Sequence, residues 1–158
     1  MKKNQLEQLL RQHHKSAYFW ALQLCKHQHD SAQEVLQMTY LKILENKARY
    51  NEKSSFKTWL FSVIRFTAFD YLKDQRQFNS LENLQIVGDS QDYSPDLNLR
   101  PYLDKLPERQ KQVLLLAFYH DLTLAAIAEV LDIGIGSVRT HYARGKEALR
   151  EVLKPIRS

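Results

Sequence analysis

The 158-residue chain has little of what interrupts or cross-links a fold: four glycines, four prolines and one cysteine, Cys25. A single cysteine excludes an intrachain disulfide framework. Scarce glycine and proline leave helical periodicity dominant along the chain. No run approaches the ~20 apolar residues of a membrane span. The longest, Val113 to Phe118, suits a buried helix. Met1-Lys2-Lys3-Asn4-Gln5 leads into an amphipathic pattern and not into the apolar core of a signal peptide. The expected location is therefore the cytoplasm, with no membrane insertion. Also lacking are a Gly-rich phosphate loop, a nucleophile elbow and a dense carboxylate cluster, which argues against an enzyme and against a cofactor. Cys25, His27, His29 and Asp30 match no zinc spacing and read as a polar helix end, so no metal is expected.

What is present is charge in blocks. Residues 1–80 carry 13 Lys/Arg against 7 Asp/Glu, residues 81–102 carry 1 against 4, and residues 103–158 carry 9 against 7. Two basic blocks flanking an acidic middle suit a polyanion partner, although charge alone fits solvated helix surfaces equally well.

The periodicity predicts a first helix over about Asn4 to Lys26, with Leu6, Leu9, Leu10, Ala17, Ala21 and Leu24 as core candidates. Ser31-Ala32-Gln33-Glu34 matches a capping box, placing a second helix start there. Its apolar set is Val35, Leu36, Met38, Leu41, Ile43 and Leu44, and a polar loop follows near Asn46 to Asn51. Ser54 or Ser55 can cap a third helix running to about Arg76. Projected at ~100° per residue, Phe56, Trp59, Leu60, Val63, Ile64 and Tyr71 form a core stripe. Lys57, Phe61, Arg65, Phe69 and Arg76 fall opposite. Exposed aromatics beside cations either pack on another element or stack on unpaired bases; the pattern alone leaves both open.

From about Phe78 to Asn98 the periodicity fails, and the segment reads as an irregular acidic linker. It resumes near Leu99. Pro107 suits the first turn of a helix containing Val113, Leu114, Leu116, Ala117 and Phe118. Leu122 to His141 then reads as two short helices joined by a tight turn. Leu124, Ile127, Ala128 and Leu131 share one face of the first; Val138, Tyr142 and Leu149 share one face of the second. Arg139, Thr140, Ala143 and Arg144 are left outside, the layout of a helix-turn-helix whose second helix enters the major groove.

Several segments together resemble one family. Ala32 to Tyr40, Ser55 to Arg65 with Ala68 to Leu72, Leu106 to Leu116, and Ile127 to Leu131 with Gly136 to Thr140 resemble, in that family's order, signature stretches of bacterial sigma-70 factors. The two-block size is similar to the extracytoplasmic-function (ECF) group. The resemblance implies an all-α fold of two small helical domains joined by the acidic linker: residues 1–77 binding core RNA polymerase and opening the −10 element, linker 78–98, and a helix-turn-helix domain 99–158 binding the −35 element.

The site residues follow from the resemblance together with the chemistry. On the melting side, the loop Ala48 to Ser55 is expected to hold a flipped base. Arg49 and Lys53 can pin phosphates there, and Asn51 can read a base edge. Lys57, Phe61, Arg65, Phe69, Lys73 and Arg76 supply charge and stacking. On the duplex side, Arg139 and Arg144 can bond guanine, Thr140 and Ala143 lie between them, and Ser137 and Lys146 suit phosphate. Glu34, Gln37, Met38 and Leu41 are expected on the clamp helices of the polymerase's largest subunit, with the last domain near its flap. Promoter DNA and, by resemblance, an anti-sigma factor complete the partners. In the family the linker threads toward the RNA exit path, where Glu82, Asp89, Asp92 and Asp96 either mimic phosphates or merely tether.

The chain departs from the family's pattern at several positions. Met38 replaces an acidic residue, Phe66 an asparagine, Ala125 and Ala126 two glutamates, and Asp121 and Asp132 two glycines. Gly134 takes a Ser/Thr cap position, and Gly145 lies inside the recognition helix. These changes leave room for an additional recruiting partner. The competing reading is a helix-turn-helix regulator that binds duplex DNA without melting it.

Overall fold

In a computed structural model, the chain is described over residues 2–82 and 100–157. It is all-helical there and divides into two units, Met1–Tyr93 and Ser94–Ser158. None of the described helices is long and apolar enough to cross a membrane.

The first unit contains α1 (Lys3–Gln12), α2 (His14–Leu24), α3 (His29–Leu44) and α4 (Phe56–Glu82). Its core joins Leu10, Trp20, Leu22, Val35, Leu36, Ile43, Leu60 and Ile64, with Ala17, Ala21 and Ala32 fully buried where helices meet. Small residues at crossings let the helix axes approach closely while longer neighbours interdigitate. Polar ties reinforce the packing: Lys42 Nζ donates to the Thr67 hydroxyl at 3.1 Å, joining α3 to α4. His14 Nδ1 and the Tyr40 hydroxyl share a hydrogen bond of 2.8 Å between α2 and α3.

Two expectations are corrected here. The first helix is broken at His13, whose backbone (φ −100°, ψ 6°) leaves helical geometry, so α1 and α2 are separate. The Ser31 capping box is not used, because α3 already begins at His29 after an extended Gln28. Aspartate at position 30 in that first turn favours the earlier start through the helix dipole. The α4 cap is as expected: Ser55 Oγ accepts from the Thr58 N–H at 3.1 Å. Helix α4 then runs six residues past Arg76, into the stretch assigned to the linker. Residues 83–99, with Asp89, Asp92 and Asp96, lie outside the described residues, as does the side chain of Glu82.

The second unit contains α5 (Arg100–Leu103), α6 (Glu108–Leu114), a π-helical turn (Leu115–Tyr119), α7 (Leu124–Leu131) and α8 (Ile135–Arg157). Leu106, Val113, Leu114, Leu116, Ile127, Val130, Leu131 and Val138 form its core. Pro107 is the residue before α6 rather than within its first turn. Thr123 caps α7, its hydroxyl accepting from the Ala126 N–H at 3.1 Å. Asp132 ends α7 in the left-handed region (φ 55°), with the Ile133 N–H bonded back to Ala128. That is a helix stop usually given to glycine and tolerated by aspartate.

Helix α8 is long, 23 residues, and runs on well past the helix-turn-helix. The buried-helix expectation for Val113 to Phe118 fails at its end. Val113 to Leu116 are buried, but Phe118 is 60% exposed. The wider π-helical turn carries it out of the register set by Leu114, and its ring stacks on Tyr142 at 5.7 Å.

Candidate nucleic-acid interface

Two buried faces fix what the helix-turn-helix presents outward. Val138 is fully buried while Tyr142 and Leu149 are half-buried, which turns α8 so that Ser137, Arg139, Thr140, Ala143 and Arg144 are all exposed. The cations of this helix are not equivalent. Arg150 is held by Glu147 at 3.2 Å, and the Lys146 ammonium lies 4.3 Å from the centre of the Tyr142 ring. Arg139 and Arg144 project from the open face. Gly136, in the first turn, borders open space, so its missing side chain serves no contact within the chain. Gly145 differs: a Cβ there would lie 3.2 Å from Leu114 Cδ1 and Cγ, a tight contact that Leu114 would have to yield to by a few tenths of an ångström.

On α4 the expected basic and aromatic stripe is only partly exposed. Phe69, Lys73 and Arg76 are exposed, while Lys57 and Arg65 are half-buried. Phe61 is corrected outright. It is fully buried, its ring parallel to Trp20 at 5.8 Å, so it offers no face to a base. Lys57 Nζ lies 5.6 Å from the centre of that same ring. Steps of four residues each advance the projection by about 40°, so a stripe from 57 to 73 winds from one side of the helix to the other and passes its middle through the core edge. On the opposite stripe, Phe56, Leu60 and Ile64 are buried, but Trp59, Val63 and Tyr71 are only half-buried. Phe66, 54% exposed beside Phe69 at 59%, is an aromatic of this face that the stripe analysis missed. Its spacing of three to Phe69 and seven to Lys73 was the available signal.

The loop between α3 and α4 is pinned by aromatics. Tyr50 meets Trp59 at 5.2 Å and Phe56 at 5.5 Å, and its hydroxyl donates to the Ser54 carbonyl. His13 lies against Phe56 at 5.7 Å. Burial and the nearby Lys57 charge lower the His13 pKa. Arg49, Asn51 and Lys53 are all exposed here. Asn51 Oδ1 accepts from the Lys53 N–H at 3.1 Å, and Arg49 Nε donates to the Asn46 carbonyl at 3.4 Å. A cavity of about 300 Å³ opens beside this loop, lined by Leu6, Ile43, Asn46, Ala48, Arg49, Tyr50 and Trp59. That volume is at the lower end for small-ligand pockets. Sequence reasoning named Arg49 but not Asn46, Tyr50 or Trp59 as lining residues; an aromatic inside a polar loop was the one hint.

A third surface lies on α3. Glu34, Gln37 and Leu41 are exposed, Leu41 by 56%, Met38 is half-buried, and Leu44 is 39% exposed. The Cys25 to Asp30 segment joins the end of α2 to the first turn of α3, with Lys26, Gln28 and Asp30 exposed. Cys25 and His27 are buried, burial pushes the Cys25 thiol up to about 12, and His29 shares a hydrogen bond with the Tyr18 hydroxyl. Among the described residues no group of three or more His, Cys, Asp or Glu is placed to hold a metal ion.

Fold and surfaces together define an all-helical, two-unit protein of the helix-turn-helix class. The Sigma-70 region 2 family matches residues 9–78, and the Sigma-70, region 4 family matches residues 97–149. The chain is 28% identical to the RNA polymerase sigma factor SigV of Bacillus subtilis (strain 168), over 87% of this chain and 84% of that protein. It is 27% identical to the ECF RNA polymerase sigma factor SigW of the same organism, over 79% and 76%. It shares its fold with the sigma factor RpoE solved in complex with the anti-sigma factor NepR from Bartonella quintana, at a TM-score of 0.76, 22% identity, and coverage of 95% of this chain and 97% of that one. The chain belongs to the sigma-70 family of transcription initiation factors, in its extracytoplasmic-function group.

Proposed function

We propose that this sigma factor divides promoter recognition between its two units. Residues 1–77 dock on core RNA polymerase and open the −10 element, and residues 99–158 read the −35 duplex. The observation that carries this reading is the presence, in one chain, of a helix-turn-helix with an open Arg139–Thr140–Ala143–Arg144 face and a second helix exposing Phe66, Phe69, Lys73 and Arg76. A duplex-only regulator has no use for the second surface. Strand opening does, because unstacking a base step costs a few kcal/mol and stacking on an aromatic returns about 1–3 kcal/mol per base.

In this reading the chain performs no covalent chemistry. Arg139 and Arg144 bond guanine edges, Thr140 and Ala143 face the bases between them, and Ser137 and Lys146 meet phosphates. Phe69, Lys73, Arg76 and the half-buried Arg65 and Lys57 handle the parted strands. The Arg49–Lys53 loop, with Asn51 and the adjoining cavity, receives a flipped base. Glu34, Gln37, Met38 and Leu41 meet the clamp helices of the largest subunit, and the second unit lies near the flap. An anti-sigma factor that covers these surfaces is the expected regulator, a reading supported by a structural neighbour solved with one bound. The site of action is the cytoplasm, where promoter and polymerase are.

Permanganate footprinting on a promoter bound by core polymerase and this chain tests the reading. Reactive thymines near −10 that depend on Phe69 support it. Protection without reactivity replaces it with the duplex-only regulator, and a requirement for a further protein identifies a recruiting partner.

A further inference from the structure

Thr140 stands at the centre of the open face of α8, and its two branches are not equally available. The hydroxyl donates to the Gly136 carbonyl one turn back, at 3.0 Å. That bond fixes the side-chain torsion of a residue already stiff at χ1. The oxygen is turned against the helix backbone, and the methyl is the branch left to face outward. Ala143, three residues on and equally exposed, presents a second methyl. Positions three apart on a helix are surface neighbours, about 5–6 Å between Cβ atoms, so the two methyls form one small apolar patch. Arg139 and Arg144 rise on either side of it.

Only one base offers an apolar group in the major groove: thymine, through its C5-methyl. Every base also presents donors or acceptors there, thymine O4 included, that two methyls leave unpaired, but thymine alone offsets that cost by burying a methyl. Resting on the assignment of α8 to the −35 element, we propose that the Thr140–Ala143 patch reads the methyl group of a thymine adjoining the guanine contacts of Arg139 and Arg144. Thr140 then sets specificity through its carbon branch, and the hydroxyl serves only to hold that branch in place.

The test uses the full chain with core polymerase. Holoenzyme selects its −35 element from a randomised promoter library, and each thymine of the selected element is then replaced by deoxyuridine, which removes the methyl alone. One such replacement is expected to weaken promoter binding about fourfold, the size of losing one buried methyl. Thr140→Val keeps both methyl-sized branches and retains the thymine-over-uracil preference. Thr140→Ser keeps the hydroxyl, lacks the methyl, and lowers the ratio toward one, with only the Ala143 methyl left. The reverse pattern, with valine losing the preference and serine keeping it, or a wild-type ratio of one at every thymine, overturns the proposal while leaving the −35 assignment intact. Failure to enrich any −35 element overturns both.

Discussion

The indole of Trp20 lies parallel to the ring of Phe61, with centroids 5.8 Å apart and planes 4° from alignment, and the indole N–H donates to the Phe61 carbonyl at 3.2 Å. One residue of α4 thereby receives both a stacked ring and a hydrogen bond from α2. Phe61 is structural, whereas Phe66 and Phe69 of the same helix are exposed.

Phe61→Ala is therefore expected to cost about 3–5 kcal/mol of stability, as for a large aromatic removed from a packed core. Phe69→Ala, at an exposed position, is expected to stay within about 0.5 kcal/mol in urea unfolding. Its effect falls instead on strand opening, read as lower permanganate reactivity at the −10 thymines. If Phe69→Ala unfolds the first unit, the assignment of that face is wrong.

Gly145→Val is expected to destabilise the second unit by about 1–3 kcal/mol, because the added branch meets buried Leu114 where a single Cβ already comes within 3.2 Å. Gly145→Ala is expected to be close to neutral, since the gain in helix propensity of about 1 kcal/mol is offset by the same contact. Thermal unfolding followed by circular dichroism separates the two; a stabilised valine variant shows that α6 and α8 are not tightly apposed.

Ala126 occupies the third position of α7, where its N–H already bonds the Thr123 hydroxyl. Ala126→Glu completes a reciprocal cap and places a negative charge at the helix N-terminus, for an expected gain of about 0.3–1 kcal/mol. In a Thr123→Ala background that gain should shrink, because the two bonds act as a pair. An unchanged gain assigns the effect to charge alone.

His13 has its pKa lowered, first by burial and then by Lys57. The folded state thus prefers the neutral ring, and the unfolded chain takes up the proton more readily. The contribution to stability is complete above the ordinary histidine value of 6.5 and is lost as pH falls below it toward the depressed folded value. The urea midpoint should drop on acidification through this window, and His13→Gln should flatten the drop. Equal slopes for the two proteins refute the assignment.

The sequence was legible where one periodicity ruled. Val138, Ile127 and Leu131 declared the buried faces of α7 and α8, and the exposed Arg139–Arg144 surface followed by subtraction. It was less legible where geometry departs from a straight α-helical projection. The winding of the 57–73 stripe hid the burial of Phe61, which depends on Trp20 some forty residues earlier. The break at His13 carries no glycine or proline to announce it. The cavity beside Tyr50 joins residues from α1, α3, the loop and α4, and no local pattern encodes such a meeting. Gly145 reads from sequence as a helix penalty; only the proximity of Leu114 explains it.

The π-helical turn at Leu115–Tyr119 has an evolutionary corollary. Its backbone closes over five residues, as in the bond from the His120 N–H to the Leu115 carbonyl, and so accommodates one residue more than an ordinary turn. A one-residue deletion there would restore regular winding and, because the wider turn had absorbed the extra residue, bring the chain to Thr123 in nearly the same orientation. Homologues that lack the bulge can therefore present α7 and α8 in the same way with no compensating change in the His120–Thr123 connection.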